Sequence, residues 1–148
     1  MTAVPAAPVL GAQMMMLKDQ VAAEGMWPVL ERLADLDLHA VEVSQIPMTE
    51  AVAADLERGA DELGIEVAAL STGLRHVEGR DMDTLDTGFD KLVADCRRLR
   101  CRFARIGMMD FSAMVSKEAV EAWAGEADEY AVRLKAEGIT LCYHNHHV

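Results

Sequence analysis

The chain has 148 residues, and its 14 lysine and arginine side chains against 25 acidic ones leave a formal net charge of −11. Hydrophobic residues make up 51% of the sequence, which is typical of a globular domain and excludes a disordered tail. The acidic balance argues against a protein that coats nucleic acid or an anionic membrane, because both need a basic surface. We therefore expect a single domain over residues 1–148 that binds neither.

The cysteines and the first residues of the chain indicate in which cellular compartment the protein works. Cys96, Cys101 and Cys142 form an odd set without CxxC spacing, which indicates reduced thiols. The start, MTAVPAAPVLGAQMMML, is apolar like a signal peptide, but its first cation is Lys18 and Gln13 interrupts the apolar stretch. No apolar run reaches the roughly 18 residues that span a bilayer. We predict a cytoplasmic protein.

Short apolar runs alternate with longer segments of helical periodicity, in chain order. The predicted strands are Val9–Leu17, Ala40–Ile46, Glu66–Ser71, Phe103–Met109 and Ile139–His146. Between them, Pro28 suits an early position in the first helix, Thr49 is a plausible N-cap of the second, the third follows Thr84, and the fourth begins near Ser116. This β-α alternation predicts a parallel sheet with right-handed crossovers.

Two closures of such a sheet compete, a flat doubly wound sheet and a barrel. Neither GxGxxG nor GxxxxGK[ST] occurs, so the Gly-rich turn of a doubly wound nucleotide binder is missing. In the second strand, Glu42 and Ser44 alternate with Val41 and Val43, as expected when one face meets a barrel lumen and the other a ring of helices. The prediction is an α/β fold of parallel TIM-barrel type.

The chain is too short to form a complete barrel alone, because a (β/α)₈ barrel typically needs ~250 residues. The chain supplies only the first five strands and four helices, a half-barrel. Three explanations stay open: a piece of a longer polypeptide, a missing half supplied by another chain, or an open five-stranded sheet.

Polar residues near the carboxyl ends of the strands are the candidates for chemistry, since active sites of parallel α/β folds form there. His144 and His146 lie two apart on an extended chain and point the same way, so both could approach a metal or a substrate. Glu42 is a carboxylate inside a hydrophobic strand, where it needs a catalytic role or a structural partner such as a lumen arginine.

Weaker candidates lie at or beside the same strand ends. Gln13, Ser44, Gln45 and Ser71 could hydrogen-bond a polyol. In the loop TGLRHVEGRD, which follows the third strand, His76 could contact a substrate and Arg75 could hold a phosphate or carboxylate. His39 precedes the second strand and so lies at the opposite end of the sheet, away from any such site.

Four segments, GAQMMMLKDQ, AVEVSQI, ARIGMM and EGITLCYHNHH, resemble the xylose isomerase-like TIM-barrel superfamily, and more narrowly its sugar phosphate isomerases/epimerases. The resemblance runs from Val9 onward, and the HNH strand is its most specific part. It implies an enzyme that removes a proton beside a carbonyl with help from a divalent metal, Mn, Mg or Zn. His144 stands where such enzymes carry a glutamate ligand, so the resemblance makes it the metal and catalytic residue beside Glu42, with Asn145 and His146 near the substrate.

The first functional hypothesis is a sugar or sugar-phosphate isomerase/epimerase of carbohydrate metabolism, incomplete in this chain. A keto-polyol dehydratase of the same superfamily is an alternative, because it starts from the same proton abstraction. The second hypothesis is a non-catalytic half-barrel that self-associates. We expect as partners a small sugar or polyol, and either a second copy of the chain or a missing carboxyl-terminal half. An endonuclease for abasic DNA on the same barrel is disfavoured by the net charge of −11.

Overall fold

A computed structural model describes residues 8–79 and 82–145 of the chain. Its strands form one sheet in the order β1-β2-β3-β4-β5, and every pair of neighbours is parallel. The strands are β1 (Gly11–Gln13), β2 (Ala40–Val43), β3 (Glu66–Thr72), β4 (Phe103–Ile106) and β5 (Thr140–Tyr143). The predicted α/β class and parallel β-α alternation are confirmed.

Within residues 8–79 and 82–145, five α-helices connect these strands. They are α1 (Lys18–Glu24), α2 (Met26–Asp35), α3 (Glu50–Glu62), α4 (Leu85–Arg98) and α5 (Lys117–Ala136), with 3₁₀ turns at Met14–Leu17 and Phe111–Ala113. The predicted N-cap Thr49 is confirmed, because its side chain accepts a hydrogen bond from the backbone N–H of Val52 at 3.3 Å. The predicted start of the fourth helix near Ser116 is confirmed as well, and the side chain of Ser116 accepts a hydrogen bond from the backbone N–H of Ala119 at 3.2 Å. The first predicted helix, with Pro28 near its start, is α2. Helix α1 precedes it and was not predicted from the sequence, and Gly25 separates the two helices at φ +89°.

The two faces of the sheet differ in polarity. Val41, Val43, Leu70 and Ile106 are buried in the apolar core that the sheet shares with the helices. The alternate residues of the same strands include Glu42 and the residues that gather round it on the other face. This alternation is what a barrel strand shows, with one set toward the helices and the other toward the lumen.

Several strands are shorter than predicted. The apolar run Val9–Leu17 leaves the sheet after Gln13, because Met14 turns into the core as the start of a 3₁₀ turn while Met15 and Met16 are exposed. The second strand ends at Val43, and Gln45 then takes the left-handed conformation at φ +55°. Apolar composition alone does not reveal these turns. They place Gln13 and Ser44 at the carboxyl ends of β1 and β2.

Strands β1 and β5 are the two outer strands of the described sheet. Within the described residues, β1 pairs only with β2 and β5 only with β4. None of the helices in this part of the chain has both the length and the apolar composition that crossing a bilayer requires.

Candidate functional site

A cavity of about 550 Å³ opens at the carboxyl ends of the strands. Gln13 is the last residue of β1, Ser44 follows β2, Gly107 follows β4 and His144 follows β5, so the site draws on both edges and the centre of the sheet. Ser71 of β3 also lines it. This is the end of a parallel sheet at which substrates bind in barrels and open α/β folds.

The floor of the cavity is built on Arg105 of β4, whose side chain is only 10% exposed. Its Nη2 atom lies 2.8 Å from Glu42 Oε1 and donates to Ser44 Oγ at 2.9 Å and to Ser71 Oγ at 3.0 Å. The guanidinium therefore ties three neighbouring strands together across the polar face of the sheet.

Small residues on β3 allow this arrangement. Arg105 pairs with Ser71 in the register of β3 and β4, and Glu42 pairs with Ala69 in the register of β2 and β3. Neighbouring strands lie roughly 4.8 Å apart, so a long arginine can cross one strand and meet the next but one. Side chains as short as serine and alanine leave the path open.

The ion pair of Arg105 and Glu42 leaves polar atoms unsatisfied. Glu42 Oε1 and Arg105 Nε are both buried without a hydrogen-bond partner in the described structure. The 2.8 Å approach of Nη2 to Oε1 brings opposite charges together without hydrogen-bond geometry. The structural partner expected for a carboxylate in this strand is thus Arg105, and a catalytic role for Glu42 stays a prediction.

His144 forms part of the cavity wall. Its backbone N–H donates to the carbonyl oxygen of Ile106 at 2.9 Å, which extends the pairing of β5 with β4 by one residue and fixes the backbone beside the cavity. The side chain is exposed and lines the cavity. Imidazole can accept and return a proton near neutral pH, which suits a wall residue of a site for proton transfer.

The other predicted substrate residues are only partly brought together. Gln13 and Ser44 line the cavity, Ser44 as a buried acceptor for Arg105. His76 and Asn145 are exposed and are not among the described residues that line it. His146 lies outside the described residues.

The loop after β3 is held by a carboxylate rather than by the histidine side chain. Both oxygens of Asp86 accept the backbone N–H of His76, at 3.1 and 3.0 Å, and Oδ1 also accepts the hydroxyl of Thr84 at 2.6 Å. Burial opposes ionisation of Asp86, but these hydrogen bonds outweigh it and lower the pKa of its carboxyl. The loop that flanks the cavity is thereby tied to the start of α4.

Arg75 and Asp110 also line the cavity, and each is bound by another side chain. Arg75 forms an ion pair with Glu126 of α5, and Asp110 accepts the indole N–H of Trp123 at 3.0 Å. The hydrogen bonds that Arg75 donates to Glu126 raise the pKa of Arg75 above its ordinary value. Arg75 is therefore engaged by a carboxylate of the protein, while binding of a phosphate or carboxylate by this residue stays a prediction.

The described residues do not fit a divalent metal on their own. Among residues 8–79 and 82–145, no group of three or more His, Cys, Asp or Glu side chains could hold a metal ion. His144 lines the cavity, but Glu42 faces a guanidinium that would repel a cation. The predicted divalent metal needs ligands from outside this part of the chain.

Arg105 was not singled out from the sequence, although a signal exists. The run FARIGMM holds one charge inside a hydrophobic strand, as AVEVSQI does with Glu42. Two lone opposite charges in buried strands of one sheet indicate a pair.

No protein-family model and no curated protein matches the sequence. Among solved structures, a sugar phosphate isomerase/epimerase from Parabacteroides distasonis ATCC 8503 is similar with a TM-score of 0.64 and 17% identity, over 97% of this chain and 54% of that one. An AP endonuclease, family 2, from Brucella melitensis is similar with a TM-score of 0.59 and 17% identity, over 93% and 55%.

The chain thus spans about half the length of the solved structures that it matches. The expected resemblance is confirmed at the level of fold, since identities this low carry the architecture and not the activity. The five described strands and their helices have the parallel α/β fold of TIM-barrel type that about half of each of these two structures shows.

Proposed function

We propose that the cavity binds a small sugar or polyol, and that the complete site isomerises or epimerises it by removing a proton next to a carbonyl. The observation that carries this proposal is the polar cavity at the carboxyl ends of the strands, in which Arg105, Ser44, Ser71 and His144 meet. Its volume of about 550 Å³ suits a small molecule.

The proposed step uses the imidazole of His144 as the base. A proton leaves the carbon beside the carbonyl and goes to the imidazole; the electron pair of the broken C–H bond forms the C=C bond, and the π pair of the carbonyl moves onto its oxygen to give an enediolate. Return of the proton to the former carbonyl carbon, with transfer of the hydroxyl proton of the first carbon to the former carbonyl oxygen, isomerises the sugar. Delivery of a proton to the opposite face of the first carbon by a second acid group epimerises it. Hydrogen-bond donors near the carbonyl oxygen stabilise the charge that develops there.

Similarity to the Parabacteroides structure supports this reading, because that protein is named as a sugar phosphate isomerase/epimerase. The chain spans about half of it, so we propose that three further strands complete the site. They would come from the rest of a longer polypeptide or from a second chain. In this mechanism His144 is the base and not a metal ligand, so the ligands of a divalent metal would lie on those strands, as would further acid/base groups.

Proton exchange with solvent tests the proposal. The complete barrel, that is this chain together with the strands that complete the site, is incubated in D₂O with a panel of ketoses, with and without Mn²⁺ or Mg²⁺, and NMR follows loss of the C–H signal beside the carbonyl. We expect exchange for at least one ketose and at least a tenfold loss in His144→Ala, the scale of a general base. The matched control is His39→Ala, because His39 lies before β2 at the other end of the sheet. No exchange with any ketose contradicts the function, and equal rates in both variants contradict the role of His144.

Two other activities are separated by their products. A keto-polyol dehydratase begins with the same proton removal but expels water, so its product is lighter than the substrate by one water molecule. Similarity to the Brucella structure raises cleavage of abasic DNA, which the net charge of −11 opposes. Nicking of an oligonucleotide with one abasic site would favour the endonuclease and contradict the sugar proposal.

A half-barrel that self-associates without catalysis is the second candidate. It is favoured by the single-sided pairing of β1 and β5 in the part of the chain that the structure describes, because an unpaired strand edge is a template for another chain. Sedimentation over a range of concentrations should show a dimer of the 16.2 kDa chain. A monomer at every concentration contradicts this candidate.

A further inference from the structure

The guanidinium of Arg105 uses one of its three nitrogens on the protein. Nη2 carries the contacts with Glu42, Ser44 and Ser71, and no other atom of this group has an acceptor among the described residues. Arginine is a donor through all five of its N–H bonds, so most of its donor capacity remains. The side chain is nine-tenths buried and still lines the cavity.

Gly107 leaves the Nη1 side of the guanidinium uncovered. A Cβ atom at this position would lie 3.4 Å from Nη1 and 3.9 Å from Cζ of Arg105. Any side chain larger than hydrogen would therefore stand against the group at the cavity floor. The absence of a side chain keeps Nη1 within reach of a bound molecule.

The two serines add donors to the same place. Each accepts a hydrogen bond from Arg105 Nη2 through its oxygen, and that is the only side-chain hydrogen bond of either residue in the described structure. Their hydroxyl hydrogens are free to rotate toward a ligand. Nη1 and the two hydroxyl groups thus make a floor that offers donors, which we call the donor floor, formed by Arg105, Ser44 and Ser71.

We propose that the donor floor binds the carbonyl oxygen of an open-chain keto sugar, and that Gly107 is a specificity residue that gives this oxygen access to Arg105. An sp² oxygen only accepts hydrogen bonds, so it fits a site made of donors better than a hydroxyl group, which must also find an acceptor. A neutral carbonyl fits better than a carboxylate, because Glu42 already balances the charge of Arg105.

This inference rests on the proposed function and names the substrate form that the same site takes. Arg105 would orient the carbonyl beside the wall that His144 forms. The assignment concerns binding, so it is tested by binding and does not depend on turnover.

Three four-carbon ligands test it: erythrulose with a ketone, erythronate with a carboxylate, and erythritol with hydroxyl groups alone. Erythrulose stays open because its chain is too short to close a furanose ring. Affinities for the 148-residue chain are measured by NMR titration. We expect erythrulose to bind more tightly than the other two. Equal or tighter binding of erythritol overturns the donor floor, and tighter binding of erythronate overturns the carbonyl assignment.

Substitutions in the donor floor test whether it is responsible for the preference for erythrulose. Arg105→Met should weaken erythrulose at least tenfold and erythritol less than threefold, which is the scale of a lost hydrogen bond to a charged group. Ser71→Ala and Gly107→Val should act in the same direction while the ion pair remains. Arg102→Met is the matched control, because this exposed arginine precedes β4 at the other end of the sheet. Equal losses in Arg105→Met and Arg102→Met contradict the inference.

Should Arg105→Met not fold, Ser71→Ala and Gly107→Val decide the question with folding monitored by circular dichroism. Unchanged erythrulose affinity in both overturns the inference. Binding of erythrulose that depends on Arg105, without proton exchange, would contradict the proposed function and support this inference. Proton exchange at the same rate in the native protein and in Arg105→Met would support the proposed function and contradict this inference.

Discussion

Arg105 and Glu42 form an ion pair across an intervening strand, with Nη2 and Oε1 2.8 Å apart although β2 and β4 are not neighbours in the sheet. The contact lies on the polar face, under the cavity, and it accounts for a carboxylate inside an otherwise hydrophobic strand. Its two partners are 10% and 25% exposed, so each depends on the other for solvation.

The first prediction concerns the stability of this pair. Arg105→Met leaves the carboxylate of Glu42 without its cation and should lower the free energy of unfolding by about 2–3 kcal/mol. Glu42→Gln should cost less, because Arg105 keeps its hydrogen bonds to Ser44 and Ser71. Urea denaturation measures both.

The double variant is the control for this prediction. Glu42→Gln combined with Arg105→Met removes both charges, so its loss of stability should be smaller than the sum of the two single losses. Strictly additive losses would show that the two side chains do not interact in solution.

Local signals explain what the sequence could predict. Thr49 and Ser116 cap helices by accepting hydrogen bonds from residues three positions further along the chain, so helix starts can be predicted from short segments of sequence. The parallel sheet follows from the β-α alternation. The pairing of Arg105 with Glu42 depends instead on strand register, including a shift between Val41 and Glu42, and such long-range alignment is not visible in either segment alone.

Strand patterns also predict only some of the residues that line the cavity. Gln13 and Ser44 were placed at strand ends from their positions in the apolar runs, and the structure brings both to the cavity. His76 was placed there by the same reasoning, but its loop turns so that the backbone of His76 binds Asp86 and the side chain faces solvent. Loop paths follow from tertiary contacts that a strand pattern does not contain.

The second prediction compares two helix glycines. Gly125 of α5 has open space where a Cβ would lie, so Gly125→Ala should raise the free energy of unfolding by about 0.5–1 kcal/mol through helix propensity. Gly59 of α3 is different, since a Cβ there would lie 2.8 Å from Cδ1 of the fully buried Leu30. Gly59→Ala should therefore lower stability by about 1 kcal/mol.

Thermal and urea unfolding of the two variants check this prediction side by side. The comparison isolates packing between α2 and α3, because both changes add the same methyl group inside a helix. Equal stabilisation by the two substitutions would contradict the close packing of Leu30 against Gly59.

The third prediction is a pH dependence at the loop after β3. Hydrogen bonds from Thr84 and from the backbone of His76 lower the pKa of Asp86 in the folded protein, against the opposing effect of burial. Their stabilising contribution is complete above the ordinary carboxyl pKa and is lost as the pH falls through the lowered folded value, because the unfolded chain takes up the proton first. The stability advantage of the native protein over Asp86→Asn should be constant at neutral pH and shrink as the pH falls below about 5.

Urea unfolding at a series of pH values measures that difference. Thr84→Ala keeps the carboxylate but removes its hydroxyl donor, so it should show an intermediate pH dependence. Parallel profiles for the native protein and Asp86→Asn would contradict the role assigned to this carboxylate.

Mapping a bound keto sugar onto the chain tests the central claim, that the polar cavity at the carboxyl ends of the strands is the ligand site. In an NMR titration of the ¹⁵N-labelled protein with erythrulose, the largest shift changes should fall on the backbone amides of Gln13, Ser44, Ser71, Gly107 and His144. Changes centred on His39 and Arg102 at the opposite end of the sheet, or none at saturating sugar, would contradict it.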